Sequence, residues 1–409
     1  MKLNTNTATA LGVSSVVLLA VCVVCVVCAT SKPVLTEQKG LRHMKVLTNQ
    51  PSEALIVPLW WDAAEDAFMI EVKLGQSWVA CVFDTGCSSA SAKGSTCHWT
   101  HCSEANDVCA VESCPGVGGK YVPAEDAVVD IYSDPRLTLG SQSSTGAVYV
   151  ETVSFFDYRP SCAALAAAPQ RFESAVGFYS AAAPAGLPLR RFPGCRVRRV
   201  TSITGGTSSN IFGMARAKSG RGGSSSLLES MAVGGVWSMY LGAESGFFSL
   251  SAMRCWGTPL YVPLVSPYTF RRFATHFYTV GIAAVEVGTQ DGHFVPVVAS
   301  TPKYLVLDTG TANTYGSLQF GDALAAAGFD SSVHHLRLIL DTSGKHSSGV
   351  AITLEPQQLR SLCVSVHNVL PAFQTLFGRD DVLLMGARCL RGLYLEFDVH
   401  RSRLGIASN

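Results

Sequence analysis

Apolar residues along the chain gather in short runs punctuated by Gly, Ser, Thr, Asn and Asp, the pattern of β-strands joined by turns. Phe68-Met69-Ile70-Glu71-Val72-Lys73-Leu74-Gly75 and the run from Trp78 to Phe83 are two such stretches, and Gly75-Gln76 between them predicts a hairpin. Phe277-Tyr278-Thr279-Val280-Gly281-Ile282, followed by Val285 to Val287, reads the same way far downstream, and Trp237 to Leu250 supplies strands between the two regions. Helical patterning is confined to short stretches. Ser224-Ser225-Ser226-Leu227-Leu228-Glu229-Ser230-Met231 reads as a short capped helix, and Leu318 to Gly328 as a helix ended by glycine. Residues 157–206, Ala-rich with Pro and Arg, interrupt the strand pattern and read as an insertion. Arg190, Arg191, Arg196, Arg198 and Arg199 make this stretch locally basic, which fits a solvated loop or, on a sharper reading, a docking or self-cleavage site.

One motif in this β-rich pattern occurs twice. Val82-Phe83-Asp84-Thr85-Gly86 has a near-copy in Val306-Leu307-Asp308-Thr309-Gly310. In each, an apolar strand-like run delivers an Asp into a Thr-Gly turn, where glycine permits close backbone approach. A single Asp-Thr-Gly is an ordinary turn, and Asp capping its own turn is the bland reading of either copy. That reading gives no reason for the repetition. Two carboxylates brought within hydrogen-bond distance do give one, because like-charge repulsion leaves one protonated and one charged. Such a pair offers an acid and a base side by side, so a water can attack an amide without a covalent intermediate.

Four ordered landmarks carry a resemblance to a known family. Besides the two Asp-Thr-Gly copies these are Ile211-Phe212-Gly213-Met214-Ala215 and Leu384-Met385-Gly386. With them the chain resembles the pepsin-like, two-lobed aspartic proteases over most of residues 55–409. The resemblance implies a mostly β, bilobal fold with an active-site cleft between two β-rich lobes, and aspartic endopeptidase activity with Asp84 and Asp308 sharing general acid and base work. Thr85, Gly86, Thr309, Gly310 and Thr311 would support the loops. Leu139, Gly140, Ser141, Gln142 and Ser143, with the return from Ala147 to Val153, resemble the flap that closes over substrate; an ordinary Gly/Ser hairpin is the alternative. Leu393 to Asp398 and Arg403 to Ala407 resemble the closing strands of such enzymes. Two copies in one chain imply a site built within a monomer, a peptide or protein as substrate and no cofactor.

The chain departs from the family pattern at several positions. Leu139 stands where the flap Tyr is usual, and Ser91 where its Trp partner is usual. Tyr132 is near enough in sequence to substitute, without a motif to support it. Cys87 replaces the Ser that usually follows the first Asp-Thr-Gly, while Thr311 is kept after the second, and Ala387 sits where Asp is common. These changes predict an altered flap and an altered proton balance in the pair. They also keep open a reading from another class, a non-catalytic peptide- or protein-binding module on the same fold.

Composition bounds the rest. With 409 residues and 48% hydrophobic content the chain suffices for two cores, and a formal net charge of +1 offers no long-range field for nucleic acid or anionic membrane. The apolar run from Ala10 to Ala29 follows a short polar end with Lys2 and reads as a signal peptide, with Val27-Cys28-Ala29 before the cleavage point, or as a retained signal anchor. Either directs the folded part into the secretory pathway, secreted or in an endolysosomal lumen, with a membrane tie only if the anchor is kept. Residues 30–52, with Lys39, Arg42, His43 and Lys45, read as a short pro-segment or a linker; residues 53–254 would form the first lobe and 255–409 the second.

Fourteen cysteines, three of them in the leader, leave eleven in the body, so at least one is left over. Cys97-His98-Trp99-Thr100-His101-Cys102, then Cys109 and Cys114, form a dense cluster. Two Cys and two His so close could suggest zinc, but all four ligands would crowd one short loop, and a secreted context favours disulfides, so no metal is assigned. The family resemblance implies a small loop closed by Cys97 with Cys102, and the extra pair loosely resembles the cysteine-rich insert of the nepenthesin-like branch.

Overall fold

In a computed structural model the described residues are 55–103, 108–114, 118–131, 136–139, 142–157, 188–204, 209–216, 226–231, 235–253, 258–266, 276–289, 292–342, 350–363, 377, 379 and 381–407. The leader, residues 30–52, Gly140, Ser141 and Tyr132 lie outside them. Among the described residues the architecture is mostly β, with one sheet of fifteen strands and one of eight. None of their helices is long and apolar enough to cross a membrane.

The predicted hairpin forms from strands Ala67–Leu74 and Ser77–Asp84, paired from Met69 opposite Val82 to Leu74 opposite Ser77. Its second strand ends on Asp84. Ile211–Gly213 then lies parallel to this strand, with Gly213 opposite Asp84, and antiparallel to Ala90–Ser103 on its other side. The second half repeats the construction. Strand Tyr278–Gly288 leads antiparallel to Tyr304–Asp308, and Val382–Gly386 runs parallel to the latter, with Gly386 opposite Asp308. The two apolar-apolar-Gly landmarks are therefore the strands laid beside the two Asp-bearing ones, and their apolar residues are buried for that reason.

The two helices read from the sequence are present. Leu227–Ser230 starts on a capping box between Ser226 and Glu229, and Leu318–Ala326 starts on the Ser317 side chain and gives way to Gly328, whose φ of 72° few other residues adopt.

Aromatic packing carries the large sheet's core beneath Asp84. Trp237 stacks on Phe397 at 4.0 Å and meets Phe83 and Phe248 edge-on at 6.3 and 6.0 Å. Burying each such ring stabilises by roughly 1.5–3 kcal/mol. The Trp237 Nε1–H donates to the Tyr278 hydroxyl, which donates in turn to the Met214 carbonyl, so a strand of the second half is pinned to the first. The closing strands Tyr394–Asp398 and Arg403–Ala407 also join the large sheet, the former pairing with Val236–Leu241.

Two expectations are corrected. The stretch read as a solvated insertion contains the strand Leu189–Thr204, which pairs antiparallel with Gln142–Phe156 and parallel with Ala90–Ser103. Neighbours on both edges bury Cys195, Val197, Val200 and Ile203, and Arg198 is buried with them, while Arg196 pairs with Asp130 at 2.6 Å. Cys97 bonds to Cys114, not Cys102. Strands Ala90–Ser103 and Val108–Ser113 form a hairpin with His98 opposite Ser113, which sets the Cα atoms of Cys97 and Cys114 5.3 Å apart. Cys97 and Cys102 lie on one extended strand, about 16 Å apart at roughly 3.3 Å per residue, too far to bridge. In the same register Cys102 is opposite Cys109. The disulfide also removes Cys97 from any zinc set. Cys81, Cys87, Cys195, Cys363 and Cys389 are buried.

Candidate active site

Asp84 and Asp308 come from positions far apart in the chain and meet where the two halves adjoin. A side-chain carbon added to Gly310 would lie 2.4 Å from Asp84 Cγ, and one added to Gly86 would lie 2.5 Å from Asp308 Oδ1. Each glycine therefore makes room for the opposite carboxyl, and a larger residue at either position would meet it. The threonines lock the loops reciprocally. The Thr85 N–H donates to Thr309 Oγ1 at 2.9 Å, and the Thr309 N–H donates to Thr85 Oγ1 at 3.0 Å. Each hydroxyl then donates onward across the junction, Thr85 to the Leu307 carbonyl at 3.1 Å and Thr309 to the Phe83 carbonyl at 2.6 Å. Both threonines are wholly buried, so the four bonds form without competition from water.

Asp84 and Asp308 are buried residues, 8% and 9% exposed, so each carboxyl carries a desolvation penalty. Burial raises both pKa values. Asp84 is pushed well above the ordinary carboxylate range, by burial and then by the charge of Asp308, against the pull of the Gly86 N–H at 2.6 Å. Asp308 is raised by burial too, but the Thr311 hydroxyl at 2.8 Å, the Gly310 N–H at 3.1 Å and a hydrogen bond from Asp84 all favour its charged form. The hydrogen bonds that favour a charged carboxylate therefore gather on Asp308, and the charge of Asp308 disfavours ionisation of Asp84.

This asymmetry follows from the residue after each motif. Thr311 aims a hydroxyl at Asp308, whereas the Cys87 thiol lies 3.5 Å from the Ser89 carbonyl and 3.8 Å from its hydroxyl, and Cys87 supports Asp84 through its backbone. The Met214 N–H donates to the Asp84 carbonyl at 2.7 Å, and the Ala387 N–H to the Thr311 carbonyl at 2.7 Å, so each neighbouring strand braces its own loop. Such a pair can hold a water and share one proton with it.

No family model matches the chain, and no curated protein does.

The proposed flap residues are placed only in part. Leu139 and Gln142, described as backbone alone, face each other across the pairing of Arg136–Leu139 with Gln142–Phe156, and Ser143 pairs with both Thr138 and Thr204. No described hydrogen bond joins these residues to the carboxyl pair. Ser91 is buried opposite Ile211, beside the Asp84 strand's neighbour. Sequence reasoning missed His276, whose ring Nε2 lies 2.8 Å from the Gly86 carbonyl, and Arg216, whose Nη2 donates to the Phe277 carbonyl at 2.9 Å. Neither belongs to a motif. The only available signal was an imidazole and a ring, His276-Phe277, at the head of an otherwise apolar strand run.

Proposed function

We propose that the chain is an aspartic endopeptidase of the pepsin-like kind, with a bilobal fold and a cleft between the lobes that binds an extended peptide. The observation that carries this reading is the reciprocal threonine network, which sets two buried carboxyls, each against the other's glycine, at one junction. Turn capping needs no second copy and no cross-junction bonds; a paired acid and base need both. In this reading Asp308, charged, takes a proton from a bound water as the water oxygen attacks the peptide carbonyl carbon. Asp84, protonated, donates to the carbonyl oxygen, giving a neutral tetrahedral diol. In the collapse Asp308 gives its proton to the amide nitrogen, Asp84 takes one from a diol hydroxyl, the C–N bond breaks, and acid and amine leave with the pair reset. No covalent enzyme intermediate is required.

The Cys97–Cys114 disulfide supports an oxidising, secretory-pathway compartment, as the leader also does. Turnover of a peptide library from about pH 3 to about pH 7 tests the reading, with pepstatin sensitivity and loss of cleavage in Asp84→Asn expected. Peptide binding without turnover anywhere in that range would overturn it in favour of a binding module.

A further inference from the structure

We propose that His276 is a positioning residue for Asp84, acting from the other half of the chain through the Gly86 carbonyl; this rests on the reading of the carboxyl pair as catalytic. The His276 Nε2 lies 2.8 Å from that carbonyl in a buried setting. A carbonyl only accepts, so the ring nitrogen facing it carries the hydrogen. The imidazole is itself held. It stacks on Phe277 at 4.4 Å, the Arg216 N–H donates to the His276 carbonyl at 3.1 Å, and Arg216 Nη2 donates to the Phe277 carbonyl. Gly86 thus stands between two groups. Its carbonyl takes the imidazole hydrogen, and its N–H donates to Asp84 Oδ1 at 2.6 Å.

The two halves are not equivalent here. Tyr278 is opposite Leu307, the residue before Asp308; in the first half Met69 is opposite Val82, and that register continued by one residue aligns Phe68 with Phe83, the residue before Asp84. Two residues earlier, His276 therefore corresponds to Asp66. Asp66 binds Arg388, and among the described residues no hydrogen bond links it to Gly310. Asp308 instead has the Thr311 hydroxyl at 2.8 Å, a contact for which Asp84 has Cys87 in the corresponding place. One loop is steadied by a hydroxyl of its own, from Thr311, the other by a ring from across the junction. Loss of the ring frees Gly86, and with it the N–H that aims Asp84.

The test compares wild type, His276→Gln, His276→Leu, His276→Met and Asp84→Asn for kcat, KM and hydrogen exchange at the Gly86 amide. The Gln side chain offers an N–H to the same carbonyl; Leu and Met cannot, and Met stands in should Leu fail to fold. A displacement near 1 Å at a reacting group costs up to about 100-fold, so the Leu and Met variants should lose about 10- to 100-fold in kcat with KM nearly unchanged. Their Gly86 amide should exchange at least about tenfold faster, while Gln stays within about threefold of wild type on both measures. Wild-type kcat in the Leu and Met variants overturns the inference. So does a fall in kcat with Gly86 exchange unchanged, or a Gln variant as impaired as Leu. A wild type as inert as Asp84→Asn sinks the catalytic reading instead, and exchange at Gly86 then still decides whether His276 holds the loop.

Discussion

Replacing Thr85 by Val tests the junction at its most concentrated point. Valine keeps the shape of threonine and removes the hydroxyl, which accepts from the Thr309 N–H and donates to the Leu307 carbonyl. Thr85 is fully buried, so no solvent replaces either bond. Leaving a buried backbone group unsatisfied costs roughly 1–3 kcal/mol, so two together cost about 2–6 kcal/mol. At about 2 °C per kcal/mol, the lower end of the scale for large domains, the melting temperature should fall by about 4–12 °C. Thermal unfolding followed by circular dichroism reads this, with Thr85→Ser as the control that keeps both bonds and loses about one methyl group, near 0.8 kcal/mol. Thr309→Val should fall by a similar amount, since its hydroxyl accepts from Thr85 and donates to Phe83 in mirror fashion. A Thr85→Val variant that melts with Thr85→Ser would refute the claim that these hydroxyls join the halves.

Three further outcomes are expected. Because the folded-state pKa of Asp84 is raised, its contribution to stability is complete below the unfolded value near 4 and is lost as pH rises through the folded value. Asp84→Asn should therefore become progressively more stable than wild type between about pH 4 and pH 7, and a constant difference across that range would contradict the assignment. Thr311→Val removes the hydroxyl that lowers the pKa of Asp308, so the acid limb of the pH–rate profile should move to higher pH; an unmoved limb would place the charge elsewhere. Non-reducing peptide mapping should recover Cys97 linked to Cys114, and Cys97→Ser should cost about 3 kcal/mol for a loop of this length, measured by denaturant unfolding.

Much of the strand pattern was legible because one-sided and two-sided burial write themselves into apolar runs. The hairpin before Asp84, the lead-in strand at Tyr278 and both capped helices follow from local rules of turn, period and cap. The Leu189–Thr204 strand was hidden because its arginines look solvated in isolation. Arg190 and Arg191 are indeed exposed, but Cys195, Val197, Arg198, Val200 and Ile203 are buried through neighbours distant in sequence, and Arg196 pairs with Asp130, which no local pattern announces. The disulfide partner of Cys97 was equally hidden, since spacing says nothing of the hairpin register that sets it opposite Cys114. At the site, the repetition of Asp-Thr-Gly pointed to the pair and to its supporting threonines. The crossed pattern of donors, and the ring of His276 behind Gly86, depend on how the halves meet.

The last strands of the described chain seal the sheet that lies under Asp84. Tyr394–Asp398 flanks the strand of Trp237, and Phe397 supplies the face on which that indole stacks. During synthesis the floor of the first carboxyl loop must wait for residues made some three hundred positions later. A nascent chain interrupted before that point would carry Asp84 on an unfinished support, so competence arrives in one late step rather than half by half.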